Sequence, residues 1–209
     1  MKIPQSAQKF IADQINILKE NPECANSHYN LGVALMEMGQ YDQAIELFEE
    51  AIDNSGRMFE GYVNLGYIYF KLGELEQVVS TNKKAVEIEP RYARGYANMG
   101  FAYLEMARPE EAIEALEKAI ELNPEIVQAW GMLINAYLQK EEIEKAIETG
   151  KKLVEFAPEF ELGQNNLATA YYLNEEYDKA IKHVDIALQR GFAVHPDFLK
   201  ELEPYRGKA

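Results

Sequence analysis

HYNLGVAL at 28–35, YVNLGYIY at 62–69 and YANMGFAY at 96–103 are one pattern written three times, each copy 34 residues after the last. Looser copies follow as WGMLINAY at 130–137 and QNNLATAY at 164–171. A period of this length kept over five copies marks a chain that grows by stacking a small unit, not by enlarging one core. The units start near Ala25, Phe59, Ala93, Val127 and Glu161.

Inside each unit the apolar residues recur at spacings of three and four, pause at a polar or Gly-containing turn, then resume the same spacing. Each unit therefore reads as a helical hairpin. The turns are MGQYD, LGELE, MARPE, KEEIE and NEEYD. The second helices stop near Gly56, Pro90, Pro124, Pro158 and Gly191, where Pro lacks a donor and Gly tolerates left-handed backbone.

The columns of the alignment resemble the tetratricopeptide repeat over residues 25–194. Large apolar residues fill the seventh place (Leu31, Leu65, Met99, Leu133, Leu167) and the eleventh (Leu35, Tyr69, Tyr103, Tyr137, Tyr171) of every unit. Small residues stand at the eighth (Gly32, Gly66, Gly100, Ala168), twentieth (Ala44, Ala112, Ala146, Ala180) and twenty-seventh places (Ala51, Ala85, Ala119, Ala187). Small residues let helices approach, and large ones fill the space between layers. Unit four inverts one pair, with Ile134 at the small eighth place and Gly150 at the bulky twenty-fourth, an exchange that conserves volume. Unit two places Asn82 at the bulky position, where burial demands a hydrogen-bond partner.

The resemblance implies an all-α, right-handed superhelical solenoid of about five hairpins (25–58, 59–92, 93–126, 127–160, 161–194) and about twelve helices in all. Residues 1–24 are expected to carry an amino-terminal capping helix over 5–20, in phase with the second helix of an incomplete repeat. Residues 195–209 are expected to form a carboxy-terminal cap and tail, with Phe198, Leu202 and Tyr205 on one face and His195 at the helix start.

Acidic residues outnumber basic ones 35 to 21, giving a net charge of -14. That field repels phosphate backbones and anionic headgroups, so nucleic acid is not the expected ligand. No apolar run is long enough to cross a bilayer, and the start MKIPQSAQKFIADQ has no signal-peptide core, so no membrane insertion and a cytoplasmic location are expected. Cys24 is the only cysteine, which precludes an internal disulfide and a thiolate metal cage. His28, His183 and His195 are widely separated, and no phosphate loop or nucleophile motif occurs. No enzymatic activity, metal or cofactor is expected.

In the resembled family the first helices line a concave groove. Carrying its groove places over repeat by repeat yields Tyr29, Asn30, Val33, Asn64, Tyr67, Phe70, Arg94, Asn98, Phe101, Leu104, Met132, Asn135, Asn166 and Tyr172. Four of five sixth places are Asn, a side chain that both donates and accepts and could grip a peptide backbone. The fifth places, Tyr29, Val63, Ala97, Gly131 and Asn165, contain no Lys, so the family's clamp for acidic chaperone tails is missing. The expected function is a non-enzymatic scaffold or adaptor holding a peptide or helix of a partner protein. The alternative is a scaffold that assembles with its own copies as a homo-oligomer through its terminal faces or groove.

Overall fold

The computed structural model describes residues 5–207, so residues 1–4 of the expected first cap and 208–209 of the tail lie outside the described residues. Among the described residues there are twelve α-helices, one 3-10 turn and no strand. Helix α1 (Gln5–Glu20) precedes five pairs: α2 (Ala25–Glu37) with α3 (Tyr41–Ser55), α4 (Phe59–Leu72) with α5 (Leu75–Ile88), α6 (Ala93–Glu105) with α7 (Pro109–Leu122), α8 (Val127–Gln139) with α9 (Ile143–Phe156), and α10 (Glu161–Leu173) with α11 (Tyr177–Gln189). A short α12 (Pro196–Leu202) and the turn Glu203–Tyr205 follow. The fold is an all-α tetratricopeptide-repeat solenoid.

The turn within each pair is built the same way five times. Gly39, Gly73, Ala107, Glu141 and Glu175 all have positive φ, between 54° and 75°. The next residue's N–H then donates five residues back, as in Gln40 to the Leu35 carbonyl at 2.9 Å and Arg108 to that of Tyr103 at 2.8 Å. This closes carbonyls that the helix end would leave unpaired. Ala107, Glu141 and Glu175 adopt the left-handed conformation with a side chain in place, at a cost of roughly 1–2 kcal/mol each.

The fourth place of the repeat ties first helices to the segment before them. His28 Nε2, Trp130 Nε1 and Gln164 Nε2 donate to the carbonyls of Pro22, Pro124 and Pro158 at 2.8, 2.9 and 3.2 Å. Three different side chains thus perform one task, because each carries an N–H at the required reach.

The chain divides into two compact units, residues 1–98 and 99–209. In the first, α1 packs on α2, α2 on α3, α3 on α4 and α4 on α5. Its core contains Ala44, Phe48, Ile52, Leu65 and Ile68. A Cβ at Gly32 would stand 3.0 Å from the Phe48 ring, and one at Gly66 would stand 2.8 Å from Asn82 Nδ2, which is why the eighth place is small. Asn82, 1% exposed, meets the demand that burial sets: its Nδ2 donates to the Val78 carbonyl at 2.8 Å and its Oδ1 accepts from Asn98 Nδ2 at 3.1 Å.

In the second unit Gly100 faces Leu116, whose Cγ would lie 2.5 Å from an added Cβ. In the unit with the inverted pair Ile134 is fully buried, while the space at Gly150 is filled by Leu167 of the next repeat, whose Cδ1 would lie 2.9 Å from an added Cβ. Helix α12 closes this unit. Leu202 is fully buried, a burial that stabilises by about 1.5–3 kcal/mol. The Tyr205 ring stacks on Tyr177 at 3.6 Å, and the Arg206 guanidinium forks onto Asp185 at 3.2 and 2.6 Å. His195 caps the helix by accepting from the Asp197 N–H at 3.3 Å.

Candidate functional site

The first unit presents a seam between its two first helices, α2 and α4. Across it Asn64 Nδ2 donates to the Tyr29 hydroxyl at 3.3 Å, while the Tyr29 ring leans on Phe48 with centroids 5.7 Å apart. Each partner of the bond lines a hollow, Tyr29 one and Asn64 the other. One, of about 390 Å³, is lined by Asn26, Tyr29, Asn30, Met58 and Glu60. The other, of about 650 Å³, is lined by Met36, Glu37, Met38, Tyr41, Val63 and Tyr67, with Asn64 at its edge.

Tyr67, which lines the larger hollow, and Phe70, three residues further along α4, remain 47% and 46% exposed. Full burial of an aromatic ring of this size is worth about 1.5–3 kcal/mol, so the unit forgoes stability by leaving the pair open. The Lys71 ammonium lies 5.4 Å from the Tyr67 ring centroid and keeps one cation on a surface otherwise bordered by Glu37 and Glu60. Val33 is half-buried and supports the same seam.

The carboxamide series is engaged inside the chain. Asn30 Nδ2 donates to Gln14 Oε1 at 3.3 Å, Asn64 to Tyr29, Asn98 to Asn82, and Asn166 to the Gly131 carbonyl at 3.1 Å. Asn166 is only 5% exposed. Each of these bonds links a first helix to an element of the preceding repeat, so the series holds repeats in register.

Arg94 and Asn98 are exposed on α6. In the second unit Phe101, Leu104 and Met132 are half-buried and Asn135 is exposed. Tyr172 is flanked edge-on by Phe198 of α12 at 5.5 Å and by Tyr177 at 5.6 Å. Desolvation there, then the neighbouring Glu201, push the Tyr172 hydroxyl above its ordinary value.

The sequence reading did not single out Asn26, Met38, Tyr41 or Met58 as lining residues. Met38, Tyr41 and Met58 lie in a turn, a linker or at the start of a second helix, outside the first-helix places that define the family's groove, whereas Asn26 holds the same second place of its repeat as Arg94. The available signal was a Met at each of two element ends, Met38 and Met58, where polar residues are more usual.

Tyr171 stacks on His183 at 5.5 Å, and burial pushes the His183 imidazole below its ordinary value. Its Nδ1 lies 2.8 Å from Gln164 Oε1, which places this His in a packing role. Among the described residues no group of three or more His, Cys, Asp or Glu could hold a metal ion, and no helix is long and apolar enough to cross a membrane.

Comparison with family models matches residues 25–55 and 93–126 to the tetratricopeptide repeat, residues 66–106 to a TPR repeat, and residues 128–156 to a PPR repeat. The last match falls on the unit with the inverted Ile134 and Gly150 pair. No curated protein matches the chain. Among solved structures, MamA protein superposes with a TM-score of 0.75 at 25% identity, covering 84% of this chain and 100% of that one. YrrB, described as a TPR protein with an unusual peptide-binding site, gives 0.77 at 18% identity over 92% of this chain and 97% of that one. MamA from Desulfovibrio magneticus RS-1, residue 41 to its end, gives 0.72 at 20% identity over 88% and 97%. The last two bear on the fold alone. With the 34-residue period, the five identically built turns and these matches in agreement, the chain belongs to the tetratricopeptide-repeat family.

Proposed function

We propose that this protein is a non-enzymatic adaptor whose α2–α4 seam binds a short segment of a partner protein. The tetratricopeptide fold is in general a protein-interaction scaffold, and the repeats taken as 25–58, 59–92, 93–126, 127–160 and 161–194 supply that scaffold. The observation that carries the finer reading is the exposed Tyr67–Phe70 pair beside two hollows. Such a surface suits apolar anchor side chains of a ligand, with Tyr29, Asn30, Val33 and Asn64 forming the floor between them.

A peptide-library selection against the full chain, followed by calorimetry on the enriched peptides, tests this reading. Replacing Tyr67 and Phe70 together by Ser should weaken binding at least about 30-fold, the loss typical of a hot-spot pair, with helicity unchanged by circular dichroism. Equal affinity for the variant would refute the seam as the site. Asn98→Ala is unsuited to this test, because it removes the partner of buried Asn82.

A further inference from the structure

Helix α1 packs on α2 through Ala7, Ile11, Gln14 and Leu18, which share one face. A second ridge, Phe10 and Ile17, stands 43% and 42% exposed on a neighbouring face. Shifting by the 34-residue period aligns Phe10 with Ala44 and Ile17 with Ala51, the twentieth and twenty-seventh places of the next repeat. Ala44 and Ala51 are fully buried, and four of the five repeats keep Ala at each place. Those alanines let a second helix approach the first helix of its own repeat. Every repeat of the chain keeps Ala at one or both of these places, Val78 and Leu153 being the single exceptions of their repeats, whereas α1 has Phe and Ile at both, a bulk that opposes docking of a first helix on it at the usual spacing. The ridge is therefore not shaped to continue the array.

It is shaped to meet itself. If two α1 helices lie antiparallel about a two-fold axis between residues 13 and 14, residue i opposes residue 27 − i. Phe10 of each copy then faces Ile17 of the other, so both ridges are covered by one isologous contact spanning residues 7–20. Charge favours the same occupant. Lys9 and Lys19 balance Asp13 and Glu20, so α1 is locally neutral while the remaining chain carries the whole -14. Contact through α1 brings two acidic molecules together where their repulsion is least. One helix per copy is a small interface, below the roughly 1,200 Å² of stable complexes, so the dimer dissolves on dilution.

We propose that the Phe10–Ile17 ridge of α1 is a self-association surface that pairs two copies of this chain antiparallel and reversibly. It lies on a different helix from Tyr67 and Phe70, so either reading can fail without the other. The pairing sets the two Asp13 carboxylates on the same side of the seam near the axis, where like charges oppose association.

Sedimentation equilibrium of the full chain across a concentration series is the test. The weight-average mass should rise from the 23.9 kDa monomer towards twice that value. Replacing Phe10 and Ile17 by Ser should hold the mass at the monomer value, with helicity unchanged. Asp13→Asn should move the transition to concentrations several-fold lower, an effect that mere loss of folding could not produce. A wild-type chain that stays monomeric at the highest concentration overturns the proposal. A dimer that survives the double substitution, or one that Asp13→Asn leaves unmoved, overturns it as well.

Discussion

The turns of the first unit and those of the second adopt one backbone conformation with different residues. Gly39 and Gly73 occupy the left-handed position in the first, whereas Ala107, Glu141 and Glu175 occupy it in the second. The first-helix faces differ in parallel. In the first unit Tyr67 and Phe70 are left open, while in the second Tyr172 is flanked by Phe198 and Asn166 is buried against Gly131. The second unit combines non-glycine residues at its turns with a closing helix on its last hairpin, and the first combines glycine turns with an exposed aromatic pair. A shared repeat fixes the backbone path but not how each place is used.

The sharpest way to break this contrast is to unseat the closing helix. Leu202→Ala should cost about 2–5 kcal/mol, seen as earlier urea unfolding and faster amide exchange in α12 and around Tyr172. Unchanged exchange there would mean that Arg206 and Tyr205 hold the helix without Leu202. Next in size is the asparagine series. Asn98→Ala strands the buried Asn82 Oδ1, costing about 1–3 kcal/mol by urea midpoint, whereas Asn166→Ala leaves the Gly131 carbonyl its place in the α8 backbone ladder and removes a single hydrogen bond, worth about 0.5–1.5 kcal/mol. Asn64→Ala, whose partner Tyr29 keeps access to water, should cost less than about 1 kcal/mol. Equal losses at Asn98 and Asn64 would erase the distinction between a buried partner and one that water can reach.

The turns supply a change of opposite sign. Glu141→Gly or Ala107→Gly should stabilise the second unit by about 1 kcal/mol, since Gly adopts positive φ without a Cβ clash, and thermal unfolding would register it. Gly39→Ala should lower stability by a similar amount. No gain at either second-unit turn would show that those turns are not strained.

The smallest effect is alkaline. The hydrogen bond with Tyr205, then desolvation, push the Tyr177 hydroxyl from its ordinary value near 10 up to about 12. Between those values the unfolded chain has lost a proton that the folded chain retains, so stability is constant below pH 10 and falls as pH rises towards 12. Tyr205→Phe should flatten that fall in a melting-temperature series, because the hydrogen bond that retains the proton is gone.

The helix pairs were legible in sequence because the evidence for them is local and repeated. Apolar spacing, Gly or Pro stops and the 34-residue period all act within a single hairpin, and the helices start at Ala25, Phe59, Ala93, Val127 and Glu161. Asn82's need for a partner and the exchange between Ile134 and Gly150 were readable for the same reason, since volume and polarity are properties of the residue itself. Phe198, Leu202 and Tyr205 could likewise be recognised as one apolar face.

Which side chains remain available was decided only by tertiary structure. Tyr67 and Tyr172 both read as groove aromatics, yet one stands open and the other is flanked by Phe198, 26 residues further along the chain. The asparagines read as a row of free carboxamides, but each has an internal acceptor that period and composition do not specify. Sequence determined the repeated hairpin because helix formation and its stops are governed by neighbours along the chain. Exposure at a given place depends on which distant helix comes to rest against it, and that is set only when the pieces pack.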